Sequence, residues 1–477
     1  MSDAATGPPT PTEPAAPDPT ELLKSRGYVQ LLVLAALIGV PVSAVAYGFL
    51  ALVGHLQDWL FTSIPSALGF HGSPAWWPAP LLLVSGVLVS LTITYLPGTS
   101  GHEPAEGFHT GASPLPIELP GVFLAALTTL SLGVVLGPEA PLIAIGGGLG
   151  VLAVRLAARD APPMAATVIA AAGSFAAIST LLGSPIVGAF LLMEASGIGG
   201  PMLGLVLVPG LLAAGVGTLI FVGLDHLTGL GTFSLAIPGL PAFSHPTGVL
   251  FLWAIAIGVV ATFAGTAIHL AALALQAVVA RRRLLWTPLA GLVVAGIAIG
   301  FSELTGKGVQ FVLFSGQVQL PGLVLHATAW TVGALVVLAI AKALAYAVSL
   351  SGFRGGPIFP AMFVGATIGV AGSHLPGLSL VPAVAMGIGA MTTVMLRLPM
   401  TATLLAVLLF ASDSLTVTPL VIVAVVVAYV LSARFPQQPS GLGRHTGAAT
   451  LDATATPATP APPATPAPPV GAAGAGG

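Results

Sequence analysis

The sequence predicts an all-α, polytopic membrane protein built from two related halves, on three observations. Only 6% of the 477 residues are charged while 56% are hydrophobic, and mean hydropathy is +1.02. A soluble domain normally carries about 25% charged residues, so water is not the main solvent of this chain. Apolar runs of roughly 20 residues, the length a helix needs to cross the hydrocarbon core, recur from end to end. Finally, GPEAPLIAIGGGLG from Gly137 to Gly150 and GPIFPAMFVGATIG from Gly356 to Gly369 share one spacing of Gly, Pro, Pro, Gly and Gly.

Taken in order, residues 1–25 are rich in Pro, Ala and Thr without a basic-then-apolar leader, and are expected to form a disordered arm. Long apolar runs follow at 28–52, 77–96, 122–136, 202–222, 248–280, 285–301, 327–350 and 415–433. Between them lie shorter pieces broken by Gly and Pro, at 143–157, 178–193 and 401–410. Such pieces are tolerated at membrane depth only when buried in protein or lining a watery cavity. The membrane domain is therefore placed at 26–435, with halves at about 26–225 and 245–435. Residues 436–477 form a Pro/Ala/Thr-rich tail that cannot bury a core, and no soluble regulatory domain is expected behind the membrane part. Lys24, Arg26, the triplet Arg281 to Arg283, Arg434 and Arg444 mark cytoplasmic faces, which puts both termini inside a plasma-membrane protein.

Composition also narrows the function. A formal net charge of −2 argues against a nucleic-acid partner, and the absence of cysteine removes disulfides, thiol nucleophiles and thiolate metal sites. His55, His109 and His226 are scattered singly, so neither a metal nor another cofactor is expected. An intramembrane enzyme would need paired acids, a Ser/His couple or a metal cluster. Asp413 stands alone beside an apolar segment, so no enzymatic activity is expected.

A glycine-proline break that opens an apolar helix leaves amide N–H groups unpaired, with the positive helix end facing inward. Two such breaks at corresponding places in two halves point to an ion or substrate site between the repeats. The halves match again at ISTLLGSP (178–185) and TTVMLRLP (392–399), each an apolar segment ending in a proline break. The copies differ at one position: Glu139 stands where the second has Ile358. A carboxylate within the membrane costs around 2.5–3.5 kcal/mol on insertion scales, which calls for a function. Glu139 either serves that ion or substrate site or stabilises the dipole of its own helix.

These residues resemble the CLC family of chloride channels and chloride/proton exchangers, whose anion path is built by G-S-G-x-P, G-[KR]-E-G-P and G-x-F-x-P. Thr99-Ser100-Gly101-His102-Glu103 is similar to the first segment, Gly137-Pro138-Glu139-Ala140-Pro141 to the second, and Gly356-Pro357-Ile358-Phe359-Pro360 to the third. Lys342, Ser351-Gly352 and Arg397-Leu398-Pro399 fit the same order, and the similarity covers roughly 28–435. The resemblance implies two inverted repeats with many tilted and partially spanning helices, assembled as a homodimer with one anion path per subunit. It implies chloride as the transported partner, the lipid bilayer as surroundings, and Glu139 as the gate. Ser100 and Gly101, with Glu139, Ala140, Ile358 and Phe359, would form the anion site. Partial charges of helix ends bind an anion well enough to enter and weakly enough to leave, so no fixed cation is expected beside it.

Several positions depart from the family pattern. Thr99 replaces the opening glycine and Glu103 falls where proline is expected, with Pro104 one place late. Pro138 and Pro357 supply no N–H, and Ala140 replaces glycine after the gate. The exchangers' inner proton-relay position falls on Ala195, with Glu194 beside it, either on a proton path with Glu139 or as a structural acid at a helix end. The pore tyrosine expected after the last helix is missing from 434–440, and Tyr429 comes too early, so the inner end of the path is more open or Ser440 or water takes its place. His102 is read as a titrating group or a polar loop residue, Arg354 as an anion attractor or a plain loop charge. Lys342 either shapes the inner vestibule electrostatically, snorkels or pairs with an acid. The sequence thus leans toward channel-like or loosely coupled chloride flow. The alternatives are a proton-coupled chloride exchanger and a transporter of another anion such as nitrate or fluoride.

Overall fold

Prolines, glycines and hydroxyl caps decide where the apolar runs become helices. The computed structural model describes residues 24–108, 113–157, 163–197, 200–229, 236–410 and 413–435. The arm up to residue 23 and the tail 436–477 lie outside the described residues, as do His109, Ser440 and Arg444.

In the first half the helices are α1 (Arg26–Asp58), α2 (Ile64–Ala67), α3 (Pro78–Tyr95), α4 (Leu119–Ser131), α5 (Glu139–Ala157), α6 (Pro163–Leu182), α7 (Pro185–Ser196) and α8 (Pro201–Thr228). The second half holds α9 (Gly248–Val279), α10 (Arg283–Thr305), α11 (Gln319–Leu325), α12 (Val332–Gly352), α13 (Ile358–Gly372), α14 (Leu380–Leu396), α15 (Pro399–Leu409) and α16 (Ser414–Ser432). Among the described residues, 8 helical stretches are long and apolar enough to cross a membrane, and five more apolar helices run only 10–17 residues. The chain is a multi-pass membrane protein. Large apolar side chains such as Leu252 (68% exposed) and Leu227 (83%) lie on the outside of the chain, which suits a surface that does not face water.

Two predicted runs end differently in the fold. The run at 122–136 leaves the helix after Ser131, because Gly133 turns into the left-handed region at φ +101° and its carbonyl accepts the Phe314 amide. The run at 327–350 begins with a separate 3₁₀ turn, and α12 starts only where the Thr331 hydroxyl accepts the Ala334 amide.

The packing repeats. α1 packs on α6 and α8 as α9 packs on α14 and α16, and α5 lies on α6 as α13 lies on α14. The short α7 touches α6 and α8 as α15 touches α14 and α16. The last two glycines of the shared spacing explain part of this. Gly146 and Gly150 of α5 meet the backbone of α6 at Gly173 and Ile169, and Gly365 and Gly369 of α13 meet α14 at Gly387 and Ala383. A Cβ at any of these four would collide with a neighbouring backbone carbonyl. Small residues let helix backbones approach closely where the hydrophobic effect between helices is weak. The break between the late short helices also repeats: Gly183 after α6 has φ +63°, and Arg397 holds the equivalent left-handed cap at φ +61°.

Candidate functional site

The two glycine-proline breaks meet. Gly137 donates its amide to the Gly356 carbonyl at 2.8 Å and accepts from the Gly356 amide at 2.6 Å, an isolated antiparallel bridge between segments that lie far apart in sequence. Each proline then caps a helix rather than beginning it. The Pro138 carbonyl accepts the Leu142 amide and the Pro357 carbonyl accepts that of Ala361, so α5 and α13 begin at Glu139 and Ile358. Two positive helix ends therefore face one crossing point.

Glu139 lies at that point, fully buried. Its Oε1 accepts the Phe359 amide of the opposite break at 3.0 Å, the Ile358 amide faces the same carboxyl, and Oε2 has no hydrogen-bond partner. A Cβ on either Gly137 or Gly356 would run into this carboxylate, so the bridged glycines form its cradle. A carboxylate held on amides at a helix N-terminus is a side chain in the position of a bound anion.

The second break has a support that sequence reading missed. Tyr346 of α12 is fully buried, and its hydroxyl donates to the Pro357 carbonyl at 2.8 Å. One signal was available: Tyr346 follows the buried Lys342 by one helical turn, on the same face of an apolar helix. Tyr429 lies in α16 and is 44% exposed.

Ser100 is 1% exposed, adopts φ +56°, and its hydroxyl is without a partner. It lines a narrow cavity together with Gly101, Ala140, Ala144, Gly355 and Arg354. Both breaks thus border this cavity, through Ala140 and Gly355. Pro141, which also lines it, and Pro360 are buried in the first turns of α5 and α13. A fixed cation, which the sequence reading did not expect beside an anion, stands at this cavity. The Arg354 side chain, 4% exposed, lies against the cavity. Its Nε donates to the Thr99 carbonyl at 3.1 Å, Nη1 to the Phe353 carbonyl at 3.4 Å and Nη2 to Glu103 Oε1 at 3.0 Å. Spacing could not show this, because Arg354 reaches the first segment only through the fold.

Glu103, the residue that stands in place of a proline, is a junction. It also accepts from Arg283 Nη2 at 2.7 Å and from Gln276 Nε2 at 2.5 Å, so one carboxylate ties the Ser100 loop to α9, α10 and the second break. Partial burial pushes its carboxyl up. The charges of Arg354 and Arg283, with hydrogen bonds from Arg283 and Gln276, outweigh that and bring it down to about 2.

Other candidates are placed elsewhere. Lys342 is fully buried and donates to the carbonyls of Leu313 and Phe314, 2.9 Å each, with its ammonium 4.8 Å from the Phe363 ring centroid. It holds a turn rather than pairing with an acid. Glu194 accepts three hydrogen bonds at the start of α15, from the Met400 amide (3.0 Å), the Thr401 amide (2.8 Å) and the Thr401 hydroxyl (2.7 Å). His102 bonds the Gly107 carbonyl of its own loop at 2.9 Å.

Comparison with known proteins gives a consistent family. The model of the family described as voltage gated chloride channel matches residues 105–433, which includes the second and third segments but begins after the first. The putative ion-transport protein YfeO of Salmonella paratyphi A (strain ATCC 9150 / SARB42) is 30% identical over 353 residues, covering 73% of this chain and 81% of that protein. Two solved structures share the fold. One, a slow cyanobacterial Cl⁻/H⁺ antiporter, has a TM-score of 0.69 at 20% identity, over 86% of this chain and 96% of that one. The other, a CLC-type fluoride/proton antiporter, has a TM-score of 0.65 at 19% identity, over 86% and 97%. The fold is of the CLC type, as the resemblance of the three segments to that family implied.

Proposed function

Because the chain belongs to the voltage-gated chloride channel family, we propose that it carries chloride across the membrane along a path closed by Glu139. The supporting observation is the Glu139 carboxylate, seated on the Phe359 amide between two bridged helix ends. Ionised, it competes with an entering anion for the same amides. Once protonated it loses the attraction of the two positive helix ends, and the unpartnered Oε2 is available to take that proton. Chloride then reaches the crossing from the side of Ser100 and Gly101, and Ala140, Ile358 and Phe359 offer their backbone to it.

Flow is channel-like or only loosely coupled to protons in this reading. The support is Glu194: with three hydrogen bonds ending on its carboxylate, it acts as the N-terminal anchor of α15 rather than as a proton carrier. Proton-coupled exchange is the second reading, favoured by the two antiporters that share the fold. The functional unit is a homodimer in the cell membrane with one path per chain and the Arg281 to Arg283 turn on the cytoplasmic side.

Chloride efflux from proteoliposomes tests the gate. Wild-type efflux rises as pH falls, and Glu139→Gln abolishes that dependence while raising efflux at neutral pH roughly tenfold, the change that ~1.4 kcal/mol of lost competition gives. Unchanged efflux and pH profile in Glu139→Gln would remove the gate assignment. Reversal potential in a planar bilayer under opposing chloride and pH gradients separates the two readings: it follows chloride alone for passive flow and shifts with pH for exchange.

A further inference from the structure

Resting on the chloride reading above, we propose that Arg354, tempered by Glu103, sets how strongly an anion is retained on the Ser100 side of Glu139. Three observations carry this. Arg354 is buried and lines the same narrow cavity as Ser100 and Ala140. Three of the five N–H groups of its guanidinium are engaged, by Thr99, Phe353 and Glu103, which leaves two for a ligand. The Ser100 hydroxyl, buried in the same wall, is unpartnered, a condition that a ligand or water in the cavity relieves.

A bare guanidinium at this depth would trap an anion, and conduction needs binding that is weak enough to release. Glu103 supplies the correction. Its single carboxylate is shared between Arg354 at 3.0 Å and Arg283 at 2.7 Å, so neither cation is fully neutralised. Glu106, exposed on the same loop, adds a solvent-screened negative charge. Arg354 thus presents a reduced positive charge toward the cavity, and the strength of that charge is adjusted from a position that touches no anion. Glu103 is a positioning residue in this scheme, and Arg354 is the group that meets the ion.

The test uses the purified full-length protein, with chloride affinity from titration calorimetry and efflux from proteoliposomes. Arg354→Gln is expected to weaken chloride binding about tenfold. Glu103→Gln, nearly isosteric, frees both arginines; it is expected to tighten binding about tenfold and slow efflux, because release becomes limiting. These opposite signs are the signature, since a purely structural role would weaken binding in both variants. If Arg354→Gln does not fold, Glu103→Gln decides alone: unchanged or weaker binding overturns the inference. Wild-type protein that carries chloride, combined with variants that bind it equally well, removes this inference and leaves the chloride reading standing. Wild-type protein that carries no chloride removes both.

Discussion

The two breaks share a backbone and differ in what they hold. At both, a glycine bridges to its counterpart, a proline carbonyl caps the helix, and glycines four residues apart seat that helix on its neighbour. The first break then carries Glu139 and the second Ile358, each at the opening residue of its helix. The duplicated scaffold provides the positive ends, and one side chain makes the crossing asymmetric by setting a buried carboxylate on the amide of the other break. A second carboxylate would put two like charges at one buried point, which explains why one acid suffices.

Making the second break resemble the first is the harshest way to break the comparison. Ile358→Glu places a charge against Glu139 without a compensating cation, and a buried unpaired charge costs several kcal/mol. The expected outcome is loss of folded protein, read as a collapsed yield of monodisperse material in detergent. Recovery in the Ile358→Glu, Glu139→Gln double variant would show that the two acids, rather than the volume of the new side chain, cause the loss.

Gly146→Leu and Gly365→Leu probe whether the scaffold is equivalent on both sides. Each side chain meets a backbone carbonyl that cannot move aside. Each variant should lose roughly 1–3 kcal/mol, read from denaturation in detergent. Equal losses sharpen the comparison, and a loss on one side only breaks it.

Tyr346→Phe removes the support found only at the second break. The Pro357 carbonyl loses a buried hydrogen bond worth about 0.5–1.5 kcal/mol, so a modest drop in thermal stability is expected. The smallest effect belongs to the late breaks, where Gly183 and Arg397 hold the same left-handed cap. Arg397→Gly relieves a conformation that costs a non-glycine residue about 1–2 kcal/mol, but the greater chain entropy that glycine loses on folding offsets part of that gain, so stability should change by less than ~1 kcal/mol.

The pH behaviour of flow follows from the same contrast. Glu103 titrates near 2, and because its folded value is depressed, the stability it contributes is present above the unfolded value and fades as pH falls toward about 2. From mildly acid to neutral pH the Glu103 knot stays ionised. Any pH dependence of flux in that range then comes from elsewhere, and Glu139→Gln should remove it.

Residue types and spacing alone determined that this chain lives in lipid, that it is duplicated, where its helices break and which break carries the acid. These are local properties: the charge of a segment, its length against the bilayer, and glycine and proline at fixed offsets. Tertiary structure decided which distant groups meet. Arg354 and Glu103 are 251 residues apart and Glu194 and Thr401 are 207 apart. Tyr346 is separated from Pro357 by a helix end and a turn that place its hydroxyl under the proline carbonyl. A sequence offers each ionic or polar group many partners of suitable chemistry, and only helix packing brings one of them within hydrogen-bond reach. The cation beside the cavity was therefore legible as an arginine near a break, and reached the Ser100 loop and Glu103 only once the two halves had closed on each other.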